Sequence, residues 1–143
     1  MKIKTKYLGE MEYDNKNVIV FEEGIPGFPD LHKYALIPIN DLVFSYMQSI
    51  EDEKICFIVM PPAFAEPSYD IDISNATVEK LKVEKPEDVN VFSIVTIPNN
   101  INDMTINLKA PIILNTKNNK AVQEVLDDDR FSIRHKVMKE AEA

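Results

Sequence analysis

Two aspartates, Asp70 and Asp72, are the best candidates in this chain for acid–base chemistry. Side chains two residues apart on a strand point to the same face, so both carboxylates would lie side by side. One member of such a pair could donate a proton while the other accepts one, as in the hydrolysis of glycosidic bonds. Paired carboxylates also commonly line a solvated face. The sequence leaves both interpretations open.

The other residue types that carry chemistry are too few or wrongly spaced. His32, His135 and Cys56 cannot supply the three or four ligands of a zinc site in a known spacing. The run Asp127–Asp129 lacks the glycine and closing glutamate of a calcium loop, and indicates a solvated turn. With three glycines in the chain, phosphate-binding loops are excluded as well. We therefore expect exposed histidines, a buried cysteine thiol, and neither metal nor cofactor.

Two of the three glycines lie in one short stretch after the strand-like run Val18–Phe21. Glycine reaches positive φ cheaply and proline fixes its own φ, so this stretch must turn sharply. Three apolar side chains accompany the turn, which a plain surface loop would not need. The residues concerned are Phe21, Gly24, Ile25, Pro26, Gly27 and Phe28. The sequence predicts either a plug packed on the core or a surface presented to a partner.

Short apolar runs recur between proline, asparagine and aspartate, which is typical of many short strands. Val43–Ile50 and Lys54–Met60 are expected to form a hairpin around an acidic turn, and Val89–Ile97 is the strongest strand. Ser68–Ile73 is predicted to be a strand, and Ser74 to begin a short helix that reaches Leu81. Residues 121–126 are ambiguous between helix and strand.

The fold class predicted from this pattern is mainly β, a small antiparallel β-barrel or roll of about ten short strands with one or two short helices. A chain of 143 residues is expected to form one domain over residues 1–137, followed by a polar tail at 138–143. No apolar run is long enough to cross a membrane, and the N-terminus has no signal-peptide pattern. We expect a cytoplasmic protein.

The net charge of −8 is concentrated in one part of the chain. Residues 41–103 contain twelve acidic and four basic residues, whereas the segments on either side are nearly neutral. Such a distribution repels nucleic acid and favours basic partners, although acidity can also serve solubility alone. It argues against a nucleic-acid-binding barrel. The remaining alternatives are a protein-interaction module and a small enzyme or other module that uses the Asp70–Asp72 face.

Several motifs in order resemble the flagellar assembly factor FliW family. They begin with Phe21–Pro29, continue at Met47–Ser49, and are strongest at Val95–Pro98 and at Met104–Ile112. Further matching positions are Cys56–Val59 followed by Pro61 and Pro62, then Tyr69, Gln123 and Arg134. The resemblance covers nearly the whole chain. One departure is Met47, where the family often has leucine.

This resemblance implies a compact, barrel-like β fold and a regulatory function without catalysis. Members of the family bind the RNA-binding translational repressor CsrA and also bind flagellin. Free FliW relieves the repression of flagellin synthesis, and accumulated flagellin occupies FliW so that repression returns. No direct nucleic-acid or membrane binding is implied. The candidate partner-binding residues are Phe21, Gly24, Ile25, Pro26, Gly27, Phe28, Met47, Tyr69, Asp70, Asp72, Asn107 and Lys109.

Overall fold

The computed structural model of the protein describes residues 1–137, and the predicted tail at 138–143 lies outside the described residues. Eleven strands and one α-helix are present in this part. The strands are β1 (Lys2–Thr5), β2 (Gly9–Glu12), β3 (Val18–Val20), β4 (Lys33–Pro38), β5 (Ser45–Ser49), β6 (Cys56–Met60), β7 (Val89–Thr96), β8 (Thr105–Ile106), β9 (Ile112–Asn115), β10 (Lys120–Gln123) and β11 (His135–Lys136). The helix is α1 (Asn75–Leu81).

Seven of these strands form a closed barrel in the order β7-β6-β5-β4-β3-β10-β9, with β9 paired back to β7. The predicted fold class is confirmed. Strand β7 makes closure possible because it is eight residues long. Its first half pairs with β9, while its second half pairs with β8. The contact between β10 and β3 is parallel, whereas every other pair is antiparallel.

Strands outside the barrel extend or flank it. β8 and β11 continue the sheet beyond β7, and β1 and β2 form a separate hairpin. The hairpin is held to the barrel by a hydrogen bond from the Lys6 amide to the Gln48 side chain, at 3.0 Å. Tyr7 also stacks on Tyr46 with 5.6 Å between ring centroids. These contacts place β1 and β2 on the outer face of β5.

Apolar side chains form two clusters, one inside the barrel and one on the outer face of β6 and β7. The first contains Ile19, Phe21, Ile25, Tyr34, Met47, Val59, Ile112, Leu114 and Ala121. The second contains Met60, Ala65, Val95, Met104, Ile106 and Leu108. Alternation of side chains along a strand explains this division, because the neighbouring residues Val59 and Met60 of β6 belong to different clusters.

Helix α1 forms as the sequence predicts. The Ser74 hydroxyl accepts a hydrogen bond from the Thr77 amide at 3.2 Å, which satisfies a donor in the first turn. The helix ends at Leu81, and the next residue, Lys82, has a left-handed φ of 55°. Asn115 and Asn118 then donate side-chain hydrogen bonds to the Leu81 carbonyl at 2.8 and 3.0 Å. Helix α1 is therefore fixed at both ends.

Two of the predicted elements differ in the structure. Ser68–Ile73 has no strand partner among residues 1–137, although its side chains alternate as a strand's do. The ambiguous segment at 121–126 contributes strand β10, because β9 and β3 offer backbone partners on both sides. The predicted hairpin around Glu51–Glu53 is confirmed as β5 and β6.

Candidate functional site

The glycine-rich loop Gly24–Phe28 is held in a conformation that requires its glycines. Gly24 has φ +69°, and a Cβ atom there would lie 2.6 Å from the Pro29 carbonyl oxygen and 2.7 Å from Pro29 Cα. Gly27 has φ +89°, but a Cβ there would meet no atom within 4 Å. The Phe28 amide donates to the Ile25 carbonyl at 2.8 Å, which closes the turn. The sharp turn predicted from the sequence is confirmed.

Apolar side chains anchor this loop to the barrel core. Phe21 and Ile25 are buried, and Phe28 is half-buried. Phe21 meets Tyr34 edge-on with 5.4 Å between centroids, and Phe28 meets Phe57 in the same way at 5.5 Å. Such edge-to-face pairs stabilise beyond their buried area. These contacts agree with the first of the two predicted roles, a plug packed on the core.

A groove of about 480 Å³ lies between the loop, helix α1 and strand β10. Its charged walls are paired internally, because Lys120 contacts Glu22 and Lys80 contacts Glu23, both at 2.7 Å. The hydrogen bond from Lys120 lowers the pKa of Glu22. Across the groove, Glu124 accepts a hydrogen bond from the Ser74 hydroxyl at 2.7 Å. This groove therefore offers little uncompensated charge to a ligand.

Three of the candidate partner-binding residues have side chains inside the barrel. Phe21, Ile25 and Met47 are at most 3% exposed, so the structure gives them a role in folding. Direct contact of these side chains with a partner would require the barrel to open. Pro26 and Gly27 remain exposed at the tip of the loop. Contact with a partner stays a prediction for all twelve candidates.

The segment from Tyr69 to Ile73 differs from the loop in its exposure. It runs without helix, turn or bend, and half-buried Tyr69, Ile71 and Ile73 alternate with exposed Asp70 and Asp72. The Tyr69 hydroxyl donates to the Leu108 carbonyl at 2.7 Å, and its burial raises the pKa of Tyr69 to about 12. Both carboxylates are open to solvent.

Asn107 and Lys109 lie close to this segment, through Leu108. The Asn107 side-chain oxygen accepts hydrogen bonds from the amides of Lys109 and Ala110 at 3.1 and 2.9 Å. Asn107 therefore closes a bend, as the sequence predicts. The Lys109 ammonium lies 3.9 Å from the Asp129 carboxylate, a weak and largely exposed pair. Lys109 is half-buried and remains accessible to a partner.

An acidic surface surrounds Asp70 and Asp72. A second groove, of about 270 Å³, separates them from the turn that contains Asp127 and Asp128. Arg130 lies in this turn and donates to both oxygens of Asp128 at 2.7–3.1 Å. These hydrogen bonds lower the pKa of Asp128 and raise that of Arg130, to which Asp70 and Asp72 also contribute. Arg130, which no motif in the sequence marks, is a cation within this acidic surface.

The residues with other chemistry do not converge on a reactive site. No group of three or more metal-ligating side chains occurs within residues 1–137. His32 contacts the Phe21 carbonyl at 2.9 Å, and His135 lies 3.6 Å from Glu66. Both histidines are half-buried, so the expected exposure is wrong: each ring packs beside its polar partner. Cys56 is also half-buried rather than buried, because it lies on the outer face of β6, and burial raises its pKa to about 11.

The fold places this protein in the class of small closed β-barrels. Residues 1–137 contain no cluster of metal-binding side chains. A family model described as FliW protein matches residues 2–137. The flagellar assembly factor FliW of Thermoanaerobacter pseudethanolicus is 43% identical, over 98% of this chain and 95% of its own length. The protein with the same description from Treponema denticola is 38% identical, over 100% and 97%. This chain belongs to the FliW family.

A solved structure agrees with this assignment. The crystal structure of the flagellar assembly factor FliW superposes with a TM-score of 0.93 at 31% sequence identity, covering 99% of both chains. The resemblance noted in the sequence is thereby confirmed over nearly the full length. The family is one of flagellar assembly factors rather than of enzymes. In residues 1–137, no helix is long and apolar enough to cross a membrane.

Proposed function

We propose that this chain is a non-enzymatic flagellar assembly factor that acts by binding two proteins in the cytoplasm. It binds the translational regulator CsrA and relieves the repression of flagellin synthesis. Flagellin binds it in turn, so that accumulated flagellin returns CsrA to its RNA. The observation that carries this proposal is the family match over residues 2–137.

The charge distribution supports a protein partner over RNA. Phosphate contacts need lysine and arginine, whereas residues 41–103 contain twelve acidic and four basic residues. The exposed carboxylates of Asp70 and Asp72 belong to this part of the chain. A partner with a basic surface, such as an RNA-binding regulator, would be attracted to it. The accessible candidates Tyr69, Asp70, Asp72, Asn107 and Lys109 form the contact region that we propose.

The proposal is tested by titrating the chain into CsrA bound to a labelled flagellin leader RNA. We expect the RNA to be released as the chain is added, and flagellin added afterwards to restore the RNA complex. In the control without CsrA, the chain should give no saturable RNA binding at moderate salt. Tight RNA binding by the chain alone, or an unchanged RNA complex at saturation, would contradict the proposal.

The acidic surface also suggests how the antagonism operates. A chain bound beside the RNA site of CsrA would repel the RNA through uncompensated carboxylates without covering the site. Exposed charges separated by more than about 8 Å are screened at physiological salt. Added salt should therefore weaken the antagonism more than it weakens the complex between the two proteins. If the antagonism is unaffected while the complex persists, direct occlusion of the RNA site is the correct mechanism.

A further inference from the structure

The backbone of Asp70–Ile73 is an unused hydrogen-bonding edge. Within residues 1–137, its amide and carbonyl groups take part in no backbone hydrogen bond, and no side chain bonds to them. The exposure of the side chains from Tyr69 to Ile73 nevertheless alternates with the two-residue period of a strand. Backbone groups in an extended segment without a neighbour are a template for pairing with another chain.

An apolar groove of about 650 Å³ borders one side of this edge. Ile71 and Ile73 belong to its wall. Small and branched apolar side chains from α1, the connections after β6 and after α1, and the start of β7 line the same groove. These are Pro62, Ala63, Val78, Val83, Val89 and Val91. Such a groove accepts aliphatic side chains that project from one face of an added strand.

Charged side chains line both grooves beside this edge. The walls of the apolar groove and of the smaller groove beside it together contain the carboxylates of Asp70, Asp72, Glu84, Asp127 and Asp128. Only Lys85 and Arg130 supply positive charge on the same walls. Directly opposed unlike charges stabilise a strand pair, and like charges destabilise it. The outward face of an added strand should therefore be basic.

We propose that Asp70–Ile73 receives a strand from a protein partner in which lysine or arginine alternates with aliphatic residues. The aliphatic side chains enter the apolar groove, the basic side chains face Asp70 and Asp72, and the backbones pair. Arg130 competes with the incoming cations for these carboxylates. This inference goes beyond the proposed function, because it concerns the mode of recognition and does not depend on which protein supplies the strand.

A short synthetic peptide of alternating lysine and valine is the probe, with the intact chain observed by NMR. We expect saturable binding, with amide exchange at Asp70–Ile73 slowed by about ten-fold or more in the complex. A peptide of alternating glutamate and valine should not bind. A peptide with the same composition as the probe, but with its valines spaced for one face of a helix, should not bind either. Preference for the helical arrangement, or binding without amide protection, would overturn strand addition.

Two charge variants test the recognition, and their expected effects on peptide affinity are opposite. Asp70→Asn with Asp72→Asn should weaken peptide binding by about ten-fold at low salt. Arg130→Gln should strengthen it by about three-fold, because a competing cation is removed. The matched control, Glu10→Gln with Glu12→Gln on exposed β2, makes the same change in net charge and should alter binding by less than about two-fold.

Two results would overturn the proposal at this stage. One is an equal loss in both double variants, which would mean that net charge alone attracts the peptide. The other is amide protection of Asp70–Ile73 that grows with protein concentration in the absence of peptide, which would make a second copy of this chain the occupant. Because no CsrA or flagellin is present, loss of the proposed function would leave these outcomes unchanged.

Discussion

The loop Gly24–Phe28 and the segment Asp70–Ile73 both contain residues singled out in the sequence, yet the structure uses them in opposite ways. The loop is closed on itself by hydrogen bonds and anchored by Phe21, Ile25 and Phe28. The segment exposes both carboxylates and leaves its backbone unpaired within residues 1–137. A distinctive motif can therefore specify a fold, while a plain alternating stretch presents the accessible chemistry.

The difference follows from what each backbone needs. Positive φ at Gly24 and Gly27 is tolerated because glycine has no Cβ, and the loop uses this to reach the core. The segment contains no glycine and needs no special conformation. Its side chains divide between a half-buried and an exposed face, as in any half-buried strand. We therefore expect changes in the loop to alter stability and changes in the segment to alter binding.

The largest expected effect is that of Phe21→Ala. The Phe21 ring is fully buried against Tyr34, so its removal leaves a cavity in the barrel core. We expect the free energy of unfolding to fall by about 3–5 kcal/mol, measured by denaturant titration. A loss below about 1 kcal/mol would mean that the core closes around the missing ring. The loop region would then matter no more for stability than Asp70–Ile73 does.

Gly24→Ala should be next in size. The new Cβ would lie 2.6 Å from a backbone oxygen at a φ of +69°, so both strain and a clash must be relieved. We expect a loss of about 2–4 kcal/mol in the free energy of unfolding, measured in the same way.

The matched control is Gly27→Ala, whose Cβ would meet no atom within 4 Å. It should cost only the strain of a left-handed residue, about 1–2 kcal/mol. Equal losses in the two variants would show that φ alone, and not the close approach to Pro29, makes Gly24 necessary. A melting temperature raised by Gly24→Ala would mean that the loop does not need glycine at this position.

Glu51 gives the plug region a smaller, pH-dependent contribution. Its carboxylate accepts backbone hydrogen bonds from His32 and Lys33 at 2.6 and 2.8 Å, beside the end of the loop. Partial burial acts to raise its pKa, but these two bonds outweigh burial and lower it below the usual 4.5. A lowered pKa adds stability above the usual value, and this stability is lost as the pH falls through the folded-state pKa.

Glu51→Gln should therefore reduce the free energy of unfolding at neutral pH by less than about 1 kcal/mol, since the group is largely exposed. The difference from the unsubstituted chain should shrink as the pH falls below 4.5. Unfolding titrations at neutral and acidic pH measure it. A difference that grows towards acid would mean that the folded state raises the pKa of Glu51 instead of lowering it.

The smallest effect on stability is expected for Asp70→Asn with Asp72→Asn. Both side chains are exposed, so the free energy of unfolding should change by no more than about 0.5 kcal/mol. Binding of CsrA should instead become weaker, chiefly through a slower association rate, as for other charges at the edge of an interface. Rates measured by surface plasmon resonance at several salt concentrations would show this. Marked destabilisation with unchanged association would reverse the roles of the two regions.

Local patterns were enough to predict much of the fold. The hairpin of β5 and β6, the long strand β7 and the cap at Ser74 are each specified by neighbouring residues. A small barrel or roll was predicted from the sequence. Which strands pair depends on contacts between distant segments, such as β3 with β10. Strand β2 was missed because Gly9–Glu12 has no apolar alternation, and β11 because it is two residues long.

The candidate site was predicted only in part for the same physical reason. Alternation alone placed Asp70 and Asp72 on one face. The apolar groove beside them was not foreseen, because Val78, Val83 and Val89 come from three different elements or connections. The sequence does not show whether Met47 is buried or exposed, since the same alternation fits either face of β5. The strand predicted at Ser68–Ile73 is not formed, because no neighbouring strand is available to it within residues 1–137.

Amide hydrogen exchange of the chain, free and bound to CsrA, tests the central claim most directly. We expect slower exchange on binding at Tyr69–Ile73 and no change at Gly24–Phe28, whose closing amide is already hydrogen-bonded in the free chain. Protection confined to Gly24–Phe28, with none at Tyr69–Ile73, would contradict this claim and make the glycine-rich loop the binding surface.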